Sequence, residues 1–99
     1  MRISVVLCTH TLERYEDCLE AARSVLEQSY EDVELVLVSD GAESVCEKFQ
    51  ADFGDRDDTI VHCKSENTGL LDSRNAGAEA ATGDVVAFID DDAIADEHW

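Results

Sequence analysis

Four short apolar runs, at residues 3–8, 33–39, 59–64 and 84–89, are rich in β-branched side chains and too short for helices, so each is expected to be a strand. Between them the apolar period changes to three and four. Leu12, Tyr15, Leu19, Ala22, Val25 and Leu26 place one apolar face on a helix over residues 12–28, with Thr11 as its cap. Val45, Phe49 and Phe53 recur every fourth residue in a second helix, expected to stop at Gly54 in a left-handed conformation. A third helix is expected over residues 69–81, capped by Thr68 and ended by Gly83; its Ala76, Gly77, Ala78, Ala80 and Ala81 allow close approach to a sheet.

Strands alternating with helices predict an α/β fold, βαβαβαβ, with an open, Rossmann-like parallel sheet. Right-handed crossovers place strands two and three on one side of strand one. A doubly wound sheet then reverses, giving the order 3-2-1-4 and a ligand crevice between the carboxyl ends of strands one and four. No repeat, low-complexity tract or linker divides the chain, so its 99 residues, Met1 to Trp99, read as a single unit. No run reaches the roughly 18 apolar residues of a membrane span, and the opening apolar stretch is too short for a signal peptide. A cytoplasmic location is expected, with a longer parent protein at the inner membrane face.

Composition changes this picture in two ways. Twenty-four Asp and Glu against 7 Lys and Arg give a formal charge of −17, which excludes bare nucleic acid and anionic membrane as partners. The acids are spread along the chain rather than gathered in a tail, so an adaptation to salt-rich, halophilic surroundings is expected. The four cysteines, Cys8, Cys18, Cys46 and Cys63, form no C-x-x-C pair and have no His at finger spacing. A zinc site is therefore unsupported, and buried thiols in a reducing compartment are expected.

Candidate chemistry lies at the strand ends. Asp90, Asp91 and Asp92 follow the fourth run directly. Alternation sends Asp90 and Asp92 to one side, where their oxygens suit a hard cation, Mg2+ or Mn2+; a solvated acidic loop is the plainer alternative. A calcium loop is excluded, because Ile94 and Ala95 stand where a further oxygen ligand and a glycine are needed. After strand one, the run from Cys8 to Arg14 lacks the glycines of G-x-G-x-x-G and of the P-loop. Dinucleotide oxidoreductases and P-loop ATPases are thereby disfavoured, and Thr9 and His10 stand where a nucleophilic aspartate would be. Asp40, before Gly41, can accept a base-edge N–H, and Thr9 offers a hydroxyl, although each is also an ordinary turn or cap residue. Arg74, one of five arginines, could meet phosphate or a neighbouring carboxylate.

Taken in order, these segments resemble the amino-terminal half of a family 2 glycosyltransferase with the GT-A fold. Ser4-Val5-Val6-Leu7-Cys8-Thr9 is similar to the family's first strand, Ser39-Asp40-Gly41 to its D-D-G-S turn, residues 67–77 to N-x-G-x-x-x-A-R-N-x-G, and Phe88-Ile89-Asp90-Asp91-Asp92 to its D-x-D motif. The resemblance implies transfer of a sugar from a nucleoside diphosphate, UDP favoured, to an acceptor hydroxyl, usually with inversion. It implies Thr9 and Asp40 at the donor base, with His10, Arg14 and Arg74 near the nucleotide. Asp90 or Asp91 would lie near the ribose and Asp92 at the divalent ion. Ser39 and Ala42 depart from the D-D-G-S turn, His10-Thr11 replace a frequent Tyr-Asn, and Arg14 stands two places later than the family's Asn-Arg pair.

The resemblance also places the general base and most of the acceptor site beyond Trp99, so these residues are expected to bind the donor nucleotide without transferring sugar. A sugar-phosphate nucleotidyltransferase and a non-catalytic nucleotide-sensing module are the alternatives. The first would need a glycine-rich basic loop after strand one, absent here. The strand-four edge is a candidate contact for a second copy.

Overall fold

The computed structural model describes residues 2–27 and 32–89. Strand β1 (Ile3–Thr9) leads through a 3-10 turn (Leu12–Arg14) into α1 (Tyr15–Leu26). Then follow β2 (Val33–Asp40), α2 (Glu43–Phe53), β3 (Thr59–Lys64), α3 (Leu70–Ala80) and β4 (Val85–Ile89). The strands form one sheet, all parallel, in the order β3-β2-β1-β4, as the crossover rule predicts.

Strand alternation separates two apolar layers. Val5, Leu7, Leu35 and Leu37 face α1 and α2, and pack with Tyr15, Cys18, Val25 and Phe49. Their neighbours Val6, Cys8, Val36 and Val38 face the other way, toward α3. The α3 layer is thin because its helix carries small residues. A Cβ added at Gly77 would stand 2.4 Å from Val6 Cγ1 and 3.0 Å from Val38 Cγ2. Gly77→Ala is accordingly expected to destabilise the fold by about 1–3 kcal/mol through overpacking, despite alanine's better helix propensity. Denaturant unfolding at fixed high salt measures this, and an unchanged midpoint would refute so close a packing.

Several local expectations are corrected. Thr11 does cap the first turn, its hydroxyl oxygen accepting the Glu13 N–H at 3.2 Å, but that turn is 3-10 and α1 begins at Tyr15. The helix is assigned to Leu26, and Gln28 lies outside the described residues. Gly54 is right-handed (φ −60°, ψ −25°), so α2 ends in a continuing turn, with Arg56 N–H reaching Phe53 O at 3.1 Å. Thr68 does not cap α3, because its hydroxyl is committed to Asp72 and Gly69 occupies the cap position. Gly83 does not end α3, which stops at an extended Ala81. It passes beneath β1 instead, where a Cβ would lie 2.4 Å from Ser4 Oγ.

Cys8 and Cys18 are buried thiols as expected, whereas Cys46 and Cys63 form a disulfide. An apolar run suggests a strand covered on both faces, but β3 is an edge strand and its Cys63 is exposed. Helix α2 lies beside this edge and brings Cys46 to a Cα separation of 5.7 Å, within bridging range.

At the amino end of the sheet a buried carboxylate ties three segments together: the start of β1, β2, and the link from α3 to β4. Glu34, 5% exposed, accepts the Ser4 hydroxyl at 2.6 Å, and the Thr82 N–H and hydroxyl at 2.9 Å each. Ser4 Oγ in turn accepts Gly83 N–H at 2.8 Å, and Arg2 donates to Thr82 Oγ1 at 3.2 Å. Burial alone would raise the Glu34 carboxyl, yet these donors and the Arg2 charge hold it below the ordinary glutamate range. This clasp fixes where β4 starts, and hence where the chain leaves it at Ile89.

Candidate functional site

The carboxyl ends of β1 and β2 meet the start of α3 around one cavity of about 180 Å3. Its walls are Cys8, Thr9 and His10 from the end of β1, Asp40 from β2, and Asn67, Gly69, Leu70 and Ser73 from the entry into α3. Drug-sized pockets run to roughly 300–1,000 Å3, so this volume suits one heterocyclic ring system rather than a whole sugar nucleotide.

Gly41 makes this convergence work. It has φ +72°, and a Cβ there would stand 2.2 Å from Asn67 N and 2.6 Å from Glu66 C. Only glycine lets the loop before α3 cross so close to the end of β2. Ser39, in place of the family's first acid, is buried and donates to Ala42 O at 2.7 Å, closing the same turn.

The crossing delivers donors to Asp40. Thr68 N–H reaches its Oδ1 at 3.1 Å, Lys64 Nζ stands 3.3 Å from the same oxygen, and the Ser73 hydroxyl donates as well. Lys64 is also 2.8 Å from Asp72 Oδ2 and contacts Thr68 Oγ1. Burial alone would raise the Asp40 carboxyl, but the Thr68 N–H, the Ser73 hydroxyl and Lys64 hold it below the usual carboxylate range. Asp40 is therefore an anion that only accepts hydrogen bonds at neutral pH. Thr9, 3% exposed, has its hydroxyl 3.5 Å from Thr11 O, too long to bind it firmly. His10 is exposed at the rim.

Thr9, His10 and Asp40 thus share one cavity. Arg74 is not among its walls: its guanidinium lies over the Phe88 ring, 5.7 Å from the centroid, bringing α3 against β4 one residue before Ile89. Arg14 closes the 3-10 turn, and its side chain lies outside what the structure describes. Asp90, Asp91 and Asp92 lie outside the described residues, and so does Trp99, beyond which the general base is expected. Among the described residues no cluster of three or more His, Cys, Asp or Glu side chains could hold a metal ion, and no helix is long and apolar enough to cross a membrane.

Lys64 was not expected here. Its signal was its rarity, one of two lysines among 24 acids, and its place at a strand's carboxyl end. Only the register, which sets Asp40 opposite Lys64, reveals the pairing.

Residues 4–99 match the profile of Glycosyl transferase family 2. The chain is 54% identical over 99 residues to the glucosyl-dolichyl phosphate glucuronosyltransferase of Haloferax volcanii, covering all of this chain and 32% of that protein. It is 32% identical over 92 residues to glycosyltransferase GlyA of Streptococcus pneumoniae, covering 92% of this chain and 13% of GlyA. Among solved structures, residues 1–349 of S. aureus TarS in complex with UDP superpose with a TM-score of 0.76 at 23% identity, over 99% of this chain and 29% of that one. Mannosyltransferase PcManGT from Pyrobaculum calidifontis, in complex with GDP-Man and Mn2+, gives 0.76 at 22% identity, over 94% of this chain and 28% of the enzyme. The chain spans about a third of the length of the Haloferax relative (32%) and less of the other three. These likenesses confirm the GT-A arrangement of the sheet, and the profile match over residues 4–99 establishes that the chain belongs to glycosyltransferase family 2.

Proposed function

We propose that this chain is the donor-nucleotide half of a glycosyltransferase that moves a sugar from a nucleoside diphosphate, UDP in preference, to an acceptor hydroxyl with inversion. The observation that carries this is the meeting of Thr9 and the ionised Asp40 in one base-sized cavity, which lies at the carboxyl ends of β1 and β2 rather than in the crevice between β1 and β4 that the strand order suggests. Relatives solved with UDP and with GDP-Man and Mn2+ support the ligand class.

In this assignment the base lies edge-on to Asp40, which accepts its ring N–H, while Thr9 supplies a hydroxyl to the next polar atom. Arg74, at the α3–β4 contact, lies toward the diphosphate, with His10 and Arg14 at the rim and Asp90 or Asp91 at the ribose. Asp90 and Asp92 offer the oxygen donors that a hard divalent cation, Mg2+ or Mn2+, prefers. When bound, such a cation supplies neutralisation of the leaving diphosphate, which a chain of charge −17 otherwise repels. The relatives are about three times as long or more, and we place the general base and the acceptor site beyond Trp99, outside these 99 residues.

Calorimetric titration of UDP in concentrated KCl tests the assignment. Binding is expected to depend on Mn2+ and to weaken roughly tenfold or more in Asp40→Ala, which removes a charge-assisted hydrogen bond. No heat from UDP with or without Mn2+ would overturn the donor site. Sugar transfer by the 99-residue chain itself would overturn the division of labour.

A further inference from the structure

Lys64 Nζ stands 3.3 Å from Asp40 Oδ1 and 3.4 Å from the Ser73 hydroxyl. It lines a separate opening, beside Gly41 and the Cys46–Cys63 disulfide, and is not among the walls that Thr9 and His10 share. Its side chain is only 12% exposed, and two carboxylates lie within 3.3 Å of its one ammonium. One of them, Asp40, belongs to β2, and the other, Asp72, to the first turn of α3. A lysine held by two acids of different elements gives up motion and hydration that an exposed lysine keeps. Without its charge, Asp40 and Asp72 would face each other uncompensated.

We propose that Lys64 is a positioning residue of this site: by bridging Asp40 to Asp72 it keeps the Asp40 carboxylate turned into the cavity as a pure acceptor, and so sets a preference for bases that carry a ring N–H. The inference rests on the donor-site assignment above and adds the source of its selectivity. Uracil presents N3–H to an acceptor, whereas cytosine presents a bare N3, which repels a carboxylate but accepts from a carboxylic acid. Among the described residues the groups that face Asp40 are Lys64 from β3, Thr68 N–H and Ser73 from the entry into α3, Asp72 through Lys64, and His10 across the cavity. Of these Lys64 supplies the fixed positive charge.

The test combines two measurements on the 99-residue chain in concentrated KCl with Mn2+. Calorimetry compares UDP with CDP, and carbon-13 NMR follows the titration of the Asp40 carboxyl. Wild type is expected to prefer UDP by about tenfold or more, the discrimination typical of a site whose buried acceptor would otherwise go unpaired. Lys64→Met should lose most of that preference and titrate Asp40 at higher pH, while Lys64→Arg, whose fork can also span two carboxylates, should restore both. Lys64→Gln replaces the methionine variant if that one fails to fold. A preserved UDP:CDP ratio together with an unmoved Asp40 titration overturns the role of Lys64. If wild type binds neither nucleotide, the donor-site assignment fails, and the carboxyl titration alone decides whether Lys64 governs Asp40.

Discussion

Glu34→Ala is expected to cost the fold about 3 kcal/mol, a large share of the roughly 5–15 kcal/mol that holds a domain of this size. The side chain is buried, and three hydrogen bonds from Ser4 and Thr82 end on it. Its removal leaves the Ser4 hydroxyl, itself 0% exposed, without its acceptor, and loosens the turn from which β4 departs. Glu34→Gln keeps the shape and one acceptor oxygen, so a smaller loss of about 1 kcal/mol is expected at neutral pH. The pH dependence follows from the direction of the shift. A carboxyl lowered in the folded state binds its proton more weakly there than in the unfolded chain. Its stabilisation is present above the ordinary glutamate value of about 4.3 and is lost as pH falls through the lower folded value. The difference in unfolding free energy between wild type and Glu34→Gln should therefore shrink below about pH 4. Equal stability of the two proteins at pH 7 would show that the clasp contributes nothing through its charge.

Withdrawal of salt should have the second large effect. The formal charge is −17 on a body of 33 × 25 × 24 Å, and at about 10 mM salt the screening length of roughly 30 Å spans the whole molecule. Every carboxylate then repels every other one. At about 1 M the length falls to ~3 Å, leaving only contact pairs. Few cations relieve the excess, because the chain has only 7 Lys and Arg, and several of them are engaged with particular partners: Arg2 with Asp32, Arg56 with Asp58, Lys64 with Asp40 and Asp72, Lys48 over the Tyr15 ring and Arg74 over the Phe88 ring. We expect the thermal midpoint to rise by about 10–20 °C between 10 mM and 2 M KCl, on the order of 2–3 kcal/mol for a domain of this length. Circular dichroism melts in KCl and NaCl measure it. A midpoint indifferent to either salt would remove salt adaptation as the reason for the acidity.

Strand positions and sheet order were legible because they depend on period alone. Runs of Val, Ile and Leu mark strands, steps of three and four mark helices, and handed crossovers leave little freedom in how four parallel strands are ordered. Thr9 and Asp40 could be named as partners for the same reason: both end adjacent inner strands, and the register indeed sets Thr9 opposite Ser39, one residue from Asp40. Local punctuation was less legible. Gly54, Gly83 and Thr68 have the residue types of helix ends, yet Gly83 serves a close crossing under β1 and Thr68 feeds Asp40 and Asp72, contacts that depend on how the chain packs rather than on its local signals.

By itself the sequence determined the fold class, the order of the strands, the family motifs and the excess of acid, since each is a property of spacing or composition. The tertiary structure alone decided that Cys46 meets Cys63, that Glu34 clasps the start of β4, and that Lys64 stands between Asp40 and Asp72. The physical reason is common to all three. A disulfide, a buried carboxylate and a bridging ammonium depend on distances of a few ångströms between different elements, and those distances exist only once helices have packed on the sheet.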